Sequence, residues 1–336
     1  MEFQNVYEEV GMPFLGRKRQ QVEAFLAEAG LRYELQISYT VNLVDGNGRL
    51  LATGSMHRNV LQCIAVSADH RGSGLTAKIV THLMNRGLQQ GYDHLFLFTK
   101  PENRLMFSDL GFFPVAETDN VLLMENRRDG LQQFITGLTR PADTGGTVGA
   151  IVANADPFTR GHLYLVGRAA AQCDTLHLFI LSEDGGTFSP AERYSMAEAA
   201  TANLSNVVLH PTSDYLISSA VFPTYFIKEQ ARAERINCEL DLHIFGHFFA
   251  KELGITTRFV GQEPFCPVTR AYNEAMKETL PRYGVEVVEL PRLLCADTPV
   301  SASRVRQYLQ EGNLAAARPL VPKSTYDYLM QRIAAE

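Results

Sequence analysis

The spacing of hydrophobic residues changes several times along the first third of the chain. Apolar residues at helical spacing predict a helix over residues 17–29 that stops at Gly30, and a second helix runs from Leu75 toward Gly91. Apolar runs predict strands near residues 34–44, 49–54 and 60–66, the first two joined by the turn Asp-Gly-Asn-Gly. Further along are a strand LFLFT, a short helix ending at LGFF and a strand VLLME. This part is therefore predicted to be mixed α/β.

From Val148 onward, apolar strands alternate regularly with amphipathic helices. In order, the segments are GAIVANA, HLYLVGRAAAQ, LHLFILS, AERYSMAEAATAN, NVVLH, a helical region through the 220s to 250s, TRFVG, VTRAYNEAMKETL and VEVVEL. Such alternation predicts a parallel sheet with helices on both faces, a Rossmann-like arrangement. Ligands of these sheets bind beyond the carboxyl ends of the strands.

The segment between these two patterns reads as a linker. It holds a short helical piece followed by TRPADTGG, in which Pro, Asp and paired Gly interrupt regular structure. Single hydrophobic cores rarely grow past roughly 250 to 300 residues, and the chain has 336. We therefore predict one domain over residues 1–126, a linker over 127–147 and a second domain over 148–336.

Composition and charge narrow the class of partner. The formal net charge of -6 disfavours a general binder of nucleic acid or acidic membranes, because such proteins need a basic face. Five widely spaced cysteines without a CxxC pair favour neither a disulfide framework nor a zinc site. No apolar run approaches the roughly 18 residues of a membrane span, and the first residues lack a signal-peptide pattern. We expect a soluble cytoplasmic protein.

A phosphate site is predicted in NADPFTRGH, where the first strand of the second domain gives way to a helix. Thr159 suits the cap of that helix, so Gly161 and His162 fall in its first turn, where free N–H groups and the helix dipole favour an anion. The candidate catalytic residues are Thr159 and His162, and the candidate nucleotide-binding residues are Asn154, Phe158 and Gly161. A lone Thr-x-x-His would more often be a cap and a surface histidine, but the longer motif is more specific.

Two further segments of the second domain are candidates for contact with a nucleotide. In VSASRVRQYLQEGN, Ser301, Ser303 and Arg306 meet at another helix N-terminus, which suits the β and γ phosphates, although an ordinary capped helix has the same pattern. In GQEP, Gly261 and Glu263 follow the strand TRFV, where a glycine permits close approach of adenine or ribose. A plain strand-ending turn explains GQEP about as well.

Two other groups of polar residues are interpreted as structural. Ser189 and Glu192 of FSPAER suit a capping box, so this segment begins a helix, although Arg193 also lies within reach of a phosphate. His243 and His247 are four residues apart on a helical stretch rich in Phe and Ile, without an evident third ligand. No metal site is assigned to them.

The first domain holds a second phosphate cradle, in HRGSGLTAK. Arg71, Gly72 and Gly74 precede a helix, which suits a pyrophosphate. Together with NRLMFSDLGFF, this segment resembles the GNAT-type acetyltransferases, in which Arg-x-x-Gly-x-Gly/Ala holds the pyrophosphate of coenzyme A. Thr76 occupies the last position of this motif, where those enzymes have a small residue. Phe107 stands where they have a tyrosine that serves as general acid. The resemblance implies a GNAT-like fold that binds a pantetheine-like arm without acetyltransferase chemistry.

The motifs Thr-x-Gly-His and Ser-x-Ser-x-x-Arg resemble those of the nucleotidyltransferase superfamily. A GNAT-like domain followed by ANADPFTRGH, SDYLISSAVFPTYFIKEQ, FVGQEPFCPVTRAYN, VSASRVR and PLVPKSTYDYL resembles the citrate lyase ligase family over nearly the whole chain. The resemblance implies that acetate attacks the α-phosphate of ATP to give acetyl-adenylate and pyrophosphate. The thiol of the prosthetic group on the acyl-carrier subunit of citrate lyase then takes the acetyl group and AMP leaves.

The same resemblance implies roles for the candidate residues. Thr159 and His162 stabilise charge on the α-phosphate, while Ser301, Ser303 and Arg306 orient the leaving pyrophosphate. Mg²⁺ bridging the phosphates is expected on general grounds, and the partners are acetate and the citrate lyase complex, with no nucleic acid and no membrane. Two alternatives stay open: a small-molecule adenylyltransferase, and a non-catalytic regulator that binds an acyl carrier.

Overall fold

Residues 6–141, 146–216, 223, 225–227, 230–264 and 266–335 are described by a computed structural model. Two units emerge from the contacts within the chain, one of Met1–Leu131 with Phe222–Leu240 and the other of Gln132–Val221 with Asp241–Glu336. The segment Phe222–Leu240 thus belongs to the first unit, whereas the sequence places it in the second domain. The predicted domain limits stay a prediction.

The first unit contains a seven-stranded mixed sheet. Its strands, β1 to β7 in chain order, are Tyr7–Gly11, Tyr39–Val44, Leu50–His57, Val60–Val66, Phe96–Thr99, Phe113–Glu117 and Leu122–Glu125. They lie in the order β1-β2-β3-β4-β5-β7-β6, and every neighbouring pair is antiparallel except β4 with β5. The sequence pattern missed the two edge strands β1 and β6, because adjacent Glu8 and Glu9 break the alternation in β1 and Pro114 lies within β6.

Helices cover this sheet through apolar stripes at helical spacing. The helices are α1 (Gly16–Glu28), α2 (Leu75–Gln89) and α3 (Arg104–Ser108), with short 3₁₀ turns at Ala68–His70 and Pro101–Asn103. Leu75, Ile79 and Leu83 of α2 are buried four residues apart, so one face of α2 packs on the sheet. The mixed α/β fold predicted for this part of the chain is confirmed.

The segment around Tyr225 forms part of the core of the first unit, although it lies far downstream in the sequence. The buried Tyr225 hydroxyl donates to the carbonyl oxygen of Phe98 on β5. The Arg32 backbone N–H donates to the carbonyl of Tyr225 at 2.8 Å, and the Arg32 guanidinium donates to the carbonyl of Ile227 at 2.7 Å. Burial raises the pKa of Tyr225 well above its ordinary value, so the phenol stays protonated and can donate.

The second unit contains a five-stranded parallel sheet, as the sequence predicts. Its strands, β8 to β12, are Val148–Ala153, Thr175–Ile180, Val207–Pro211, Thr257–Gly261 and Glu286–Leu290, in the order β10-β9-β8-β11-β12. All neighbouring pairs are parallel. A small hairpin of β13 (Leu294–Cys295) and β14 (Thr298–Pro299) follows. Because β8 is central, the loop after it lies in the middle of the carboxyl edge.

The remaining helices belong wholly or partly to the second unit. They are α4 (Gly130–Thr136), α5 (Arg160–Ala170), α6 (Pro190–Thr201), α7 (Gln230–Ile244), a π-helix (Phe245–Ala250), α8 (Lys251–Leu253), α9 (Pro267–Thr279), 3₁₀ turns at Leu280–Tyr283 and Arg318–Leu320, α10 (Ala302–Gln310), α11 (Leu314–Ala317) and α12 (Lys323–Ala335). The predicted helical region is helical from Gln230 on, whereas residues 223 and 225–227 form turn or irregular structure, so the prediction is wrong there; residues 217–222, 224 and 228–229 lie outside the described residues. No helix within the described ranges is long and apolar enough to cross a membrane.

Two histidines face each other inside the second unit. His177 on β9 and His210 on β10 are 2% and 1% exposed, and Nδ1 of His177 lies 2.8 Å from Nε2 of His210. Burial lowers the pKa of His177 to about 4, with a smaller effect from the charge of Arg140. Burial and the neighbouring His177 lower the pKa of His210 to about 3. Both rings are therefore neutral in the folded chain at neutral pH.

These histidines predict a pH-dependent stability. Histidines of the unfolded chain titrate near pH 6.5. Between pH 6.5 and about 4 the unfolded chain therefore binds more protons than the folded chain. The stability of the fold consequently rises with pH across that window. We expect the free energy of unfolding in urea to fall between pH 7 and pH 5, and to fall less steeply in His210→Gln. An unchanged slope in the variant would assign the pH dependence to other groups.

Candidate active site

The first helix of the second unit begins with a reciprocal cap between Thr159 and His162. The buried Thr159 lies in extended conformation before α5, and its Oγ1 accepts the backbone N–H of His162 at 3.3 Å. In return, Nδ1 of His162 accepts the backbone N–H of Thr159 at 3.0 Å. This is a capping box with histidine in the position that usually holds Glu or Gln. The imidazole is thereby fixed at the carboxyl edge of the sheet.

The reciprocal cap also determines where the imidazole carries its proton. Since Nδ1 accepts a backbone N–H, the proton of the neutral ring lies on Nε2. Burial and, to a smaller extent, the charge of Arg292 lower the pKa of His162 to about 4. The ring also packs against the fully buried Phe158, with 5.4 Å between centroids. His162 is thus a neutral, oriented hydrogen-bond donor at neutral pH.

Position 161, in the first turn of α5, has little room for a side chain. A Cβ atom built on Gly161 would lie 3.3 Å from the carbonyl oxygen of Val300 and 3.4 Å from Oγ1 of Thr159. A larger residue would therefore crowd the first turn from both sides. Helix N-termini leave backbone N–H groups without partners in the helix, and these suit an anion. The geometry of this turn can accommodate a phosphate.

The second predicted phosphate segment lies beside the first. Ser301 caps α10 by accepting the backbone N–H of Arg304 at 3.3 Å, and its Oγ lies 3.1 Å from Oγ of Ser303. Arg306 donates to the carbonyl oxygen of Asp156, and its Nη1 lies 3.7 Å from the Asp156 carboxylate. The structure thus brings the loop after β8 and the first turns of α10 together.

Asp156 is a residue of this site that the sequence analysis missed. Its carboxylate accepts the backbone N–H groups of Thr187 at 3.1 Å and Phe188 at 2.9 Å. A Cβ built on Gly186 would lie 2.8 Å from Oδ2 of Asp156, so only glycine fits there without movement. The available signal was an acidic residue three positions after a buried strand, at the carboxyl edge.

The structure places Arg193 away from any exposed phosphate position. Its side chain is buried and donates to the backbone carbonyl and the side-chain oxygen of Asn154, whereas Asn154 itself is exposed. The predicted capping box of Ser189 and Glu192 is confirmed. Oγ of Ser189 accepts the backbone N–H of Glu192 at 3.4 Å, and the Glu192 carboxylate accepts the backbone N–H of Ser189 at 2.7 Å. FSPAER therefore begins α6, and Arg193 reaches from α6 to the loop after β8.

A cavity of about 490 Å³ lies beyond the carboxyl ends of β11 and β12. Glu263 lines it, pairs with Arg292 and accepts the backbone N–H of Cys266 at 3.1 Å. Nothing lies within 4 Å of a Cβ built on Gly261, so space is open beside that residue. Arg292 was missed by the sequence analysis, although it follows β12 at the same edge. The cavity is large enough for a nucleoside.

The predicted cradle of the first unit is exposed. Arg71, Gly72 and Gly74 precede α2, and the two glycines have φ of 75° and 81°, with nothing within 4 Å of a Cβ built on either. Gly74 is the N-cap of α2 and provides no side-chain cap. Phe107, in the place of the GNAT tyrosine, is 5% exposed. The first turn of α2 is thus accessible to a ligand.

The described side chains provide no cluster for a metal. Among them, no group of three or more His, Cys, Asp or Glu residues could hold a metal ion. His243 instead lies 2.8 Å from the hydroxyl of Tyr283 through Nδ1, and its ring stacks on His247. The roles predicted for the site residues stay predictions on this geometry.

Comparison with known proteins finds similarity over both units. Residues 148–329 match the citrate lyase ligase C-terminal domain family, and residues 17–112 match the acetyltransferase (GNAT) family. The citrate (pro-3S)-lyase ligase of Klebsiella pneumoniae is 42% identical over 324 residues, covering 95% of this chain and 94% of that protein. The enzyme of the same name from Escherichia coli strain K12 is 39% identical over 319 residues, covering 93% and 90%.

One solved structure with similarity to the chain is that of Thermotoga maritima TmcAL bound with alpha-thio ATP. It is 16% identical, covers 56% of this chain and 56% of its own, and has a TM-score of 0.36. A score of this size supports no conclusion about the chain.

The reciprocal cap predicts the effect of changing Thr159. Thr159→Ala removes the oxygen that accepts the His162 N–H, and we expect the free energy of unfolding to fall by about 1 kcal/mol in urea denaturation. Thr159→Ser keeps that oxygen and serves as the matched control, with a smaller loss. Equal losses in both variants would assign the effect to the buried methyl group of Thr159.

Proposed function

The chain belongs to the citrate lyase ligase family, and we propose that it activates citrate lyase by ATP-dependent acetylation of a thiol on its acyl-carrier subunit. Family membership rests on the match over residues 148–329 and on the 42% identity over 95% of the chain. The observation that best supports the chemistry is the neutral His162, which is held in the first turn of α5, after the loop whose Asp156 contacts Arg306 of α10.

In the first half-reaction, a carboxylate oxygen of acetate attacks the α-phosphorus of ATP. The bond from the α-phosphorus to the oxygen that bridges to the β-phosphate breaks, and pyrophosphate leaves with that electron pair. Nε2–H of His162 donates to a non-bridging α-phosphate oxygen, and the N–H groups of the first turn of α5 assist. Fixed donors stabilise the transition state because they need no reorganisation when charge develops.

The pyrophosphate is held by the first turn of α10 on this proposal. Ser301 and Ser303 provide hydroxyl groups and Arg306 a guanidinium, which pairs well with phosphate. Asp156 holds Arg306 at the loop after β8. The cavity lined by Glu263 receives the nucleoside, whose hydroxyl and amino groups can donate to the carboxylate.

Mg²⁺ fits this site only as an ion carried by the triphosphate. No group of three metal-binding side chains occurs among the described residues, and Mg²⁺ is commonly bound through substrate phosphates and water. When bound, it neutralises charge on the phosphate oxygens. The residues of the chain then need to provide position and hydrogen bonds.

In the second half-reaction, the thiol of the prosthetic group attacks the acetyl carbonyl of the adenylate, a thioester forms and AMP leaves. Arg71, Gly72 and Gly74 are proposed to hold the phosphates of the prosthetic arm at the N-terminus of α2, which is exposed and lacks a side-chain cap.

The odd number of widely spaced cysteines fits a protein of the cytoplasm.

Acetate-dependent exchange of labelled pyrophosphate into ATP tests the first half-reaction without the lyase. The proposal requires exchange that depends on acetate. Exchange that needs a nucleotide acceptor instead would indicate a small-molecule adenylyltransferase. An absence of both, with tight binding to the acyl-carrier subunit, would indicate a non-catalytic regulator.

His162→Ala should reduce this exchange by about two to three orders of magnitude, as expected for the loss of a donor to the transition state. His162→Gln is the matched control, because its amide can donate from a similar position and should recover part of the rate. Circular dichroism checks that both variants fold. A folded His162→Ala with near-normal exchange would remove His162 from the mechanism.

The arm-binding role of the first unit predicts a selective defect. Gly74→Leu should leave pyrophosphate exchange unchanged and slow transfer of acetyl to the lyase thiol, because a side chain blocks close approach to the phosphates. Gly48→Leu is the control, since Gly48 also has a positive φ, of 77°, with nothing within 4 Å of a Cβ built there. Equal transfer rates in the two variants would leave the first unit as a docking surface.

A further inference from the structure

Arg193 is an unusual residue for the interior of the second unit. It is 1% exposed and is the largest fully buried side chain among the residues that the structure describes. Burial lowers its pKa, while the carboxylates of Asp156, Glu183 and Asp184 oppose that shift. Burying a charged group is costly unless it is paired and hydrogen-bonded. Its bonds therefore indicate what the charge is used for.

The guanidinium connects the ends of two neighbouring strands. Nη1 donates to the backbone carbonyl of Asn154 at 2.9 Å and to Oδ1 of the same residue, and Nη2 donates to the backbone carbonyl of Glu183. Asn154 is the first residue after β8, and Glu183 is the third after β9. Both loops lie at the carboxyl edge, next to the first turn of α5.

The contact with the Asn154 side chain fixes the orientation of its carboxamide. An arginine only donates hydrogen bonds, so the oxygen of the carboxamide must face Arg193. The Nδ2 amide group is then directed away from the buried guanidinium, and Asn154 is exposed. A bond to the backbone carbonyl alone would hold the loop without orienting this side chain.

We propose that Arg193 is a positioning residue that orients Asn154 so that its Nδ2 amide donates to a phosphate oxygen of the bound nucleoside triphosphate. The inference rests on the proposed function and adds a residue that touches no substrate. A guanidinium suits the task because its planar fork holds several acceptors in fixed directions, whereas an ammonium group is a point charge on a flexible stem.

Arg193→Lys tests the inference in a double-mutant cycle with Asn154→Ala. On the wild-type background we expect kcat/KM for ATP in acetate-dependent exchange to fall about 10- to 100-fold, as for a misplaced contact. On the Asn154→Ala background, Arg193→Lys should change kcat/KM less than about threefold, while it lowers Tm equally in both. The same fold-loss of kcat/KM in both backgrounds would overturn the inference, because Arg193 would then act independently of Asn154.

Two further variants provide a second test and a matched control. Asn154→Asp retains an oxygen for Arg193 and loses the Nδ2 donor, so it should fold with an undiminished Tm and fall at least as far as Asn154→Ala in kcat/KM, because its carboxylate also repels the phosphate. Wild-type kcat/KM in this variant would overturn the inference even if Arg193→Lys fails to fold. Arg168→Lys, at an exposed position on α5, is the matched control and should change neither quantity.

Failure of the proposed function can be distinguished from failure of this inference. If wild-type protein shows no acetate-dependent exchange, the proposed function fails. ATP binding by calorimetry then tests Asn154 by itself, because a contact with phosphate needs no acetate. Equal ATP affinity of wild type and Asn154→Asp would overturn the inference in that case.

Discussion

The geometry of the candidate active site depends on one reciprocal pair of hydrogen bonds, between Thr159 and His162. The pair closes the N-terminus of α5, where the loop that follows the central strand gives way to the helix. It also occupies Nδ1 of the imidazole and leaves the proton on Nε2. The same two residues thus cap the helix and orient the imidazole as a hydrogen-bond donor, so a substitution that breaks the cap also affects the orientation of the ring.

The surrounding residues preserve this arrangement through the loop that joins β8 to α5. Asp156 is held by two backbone N–H groups of the segment before α6, and it in turn holds Arg306. Arg193 holds Asn154 at the other end of the same loop. Charged side chains thus fix the loop from several neighbouring elements, which favours a preformed site over one assembled by the ligand.

Local signals made much of this fold predictable. Strand spacing and capping residues identified the parallel sheet, the capping box of Ser189 and Glu192 and the cap at Thr159, because each depends on residues close in sequence. Asp156 and Arg292 were not found, since their partners come from other elements of the fold. The edge strand β1 was missed because its Glu residues face solvent. The membership of Phe222–Leu240 in the first unit depends on contacts that no local pattern contains.

The position of Tyr225 has a consequence for the synthesis of the chain. The core of the first unit includes a tyrosine that lies more than ninety residues after Leu131, where the first continuous part of that unit ends. At about 5 to 20 residues per second, the ribosome needs on the order of 5 to 20 s to make the intervening segment. The core of the first unit therefore stays incomplete while much of the second unit is translated, because Tyr225 is not yet present to contact Phe98. During synthesis, the N-terminal part of this chain thus keeps a portion of its core uncovered for longer than the order of the domains suggests.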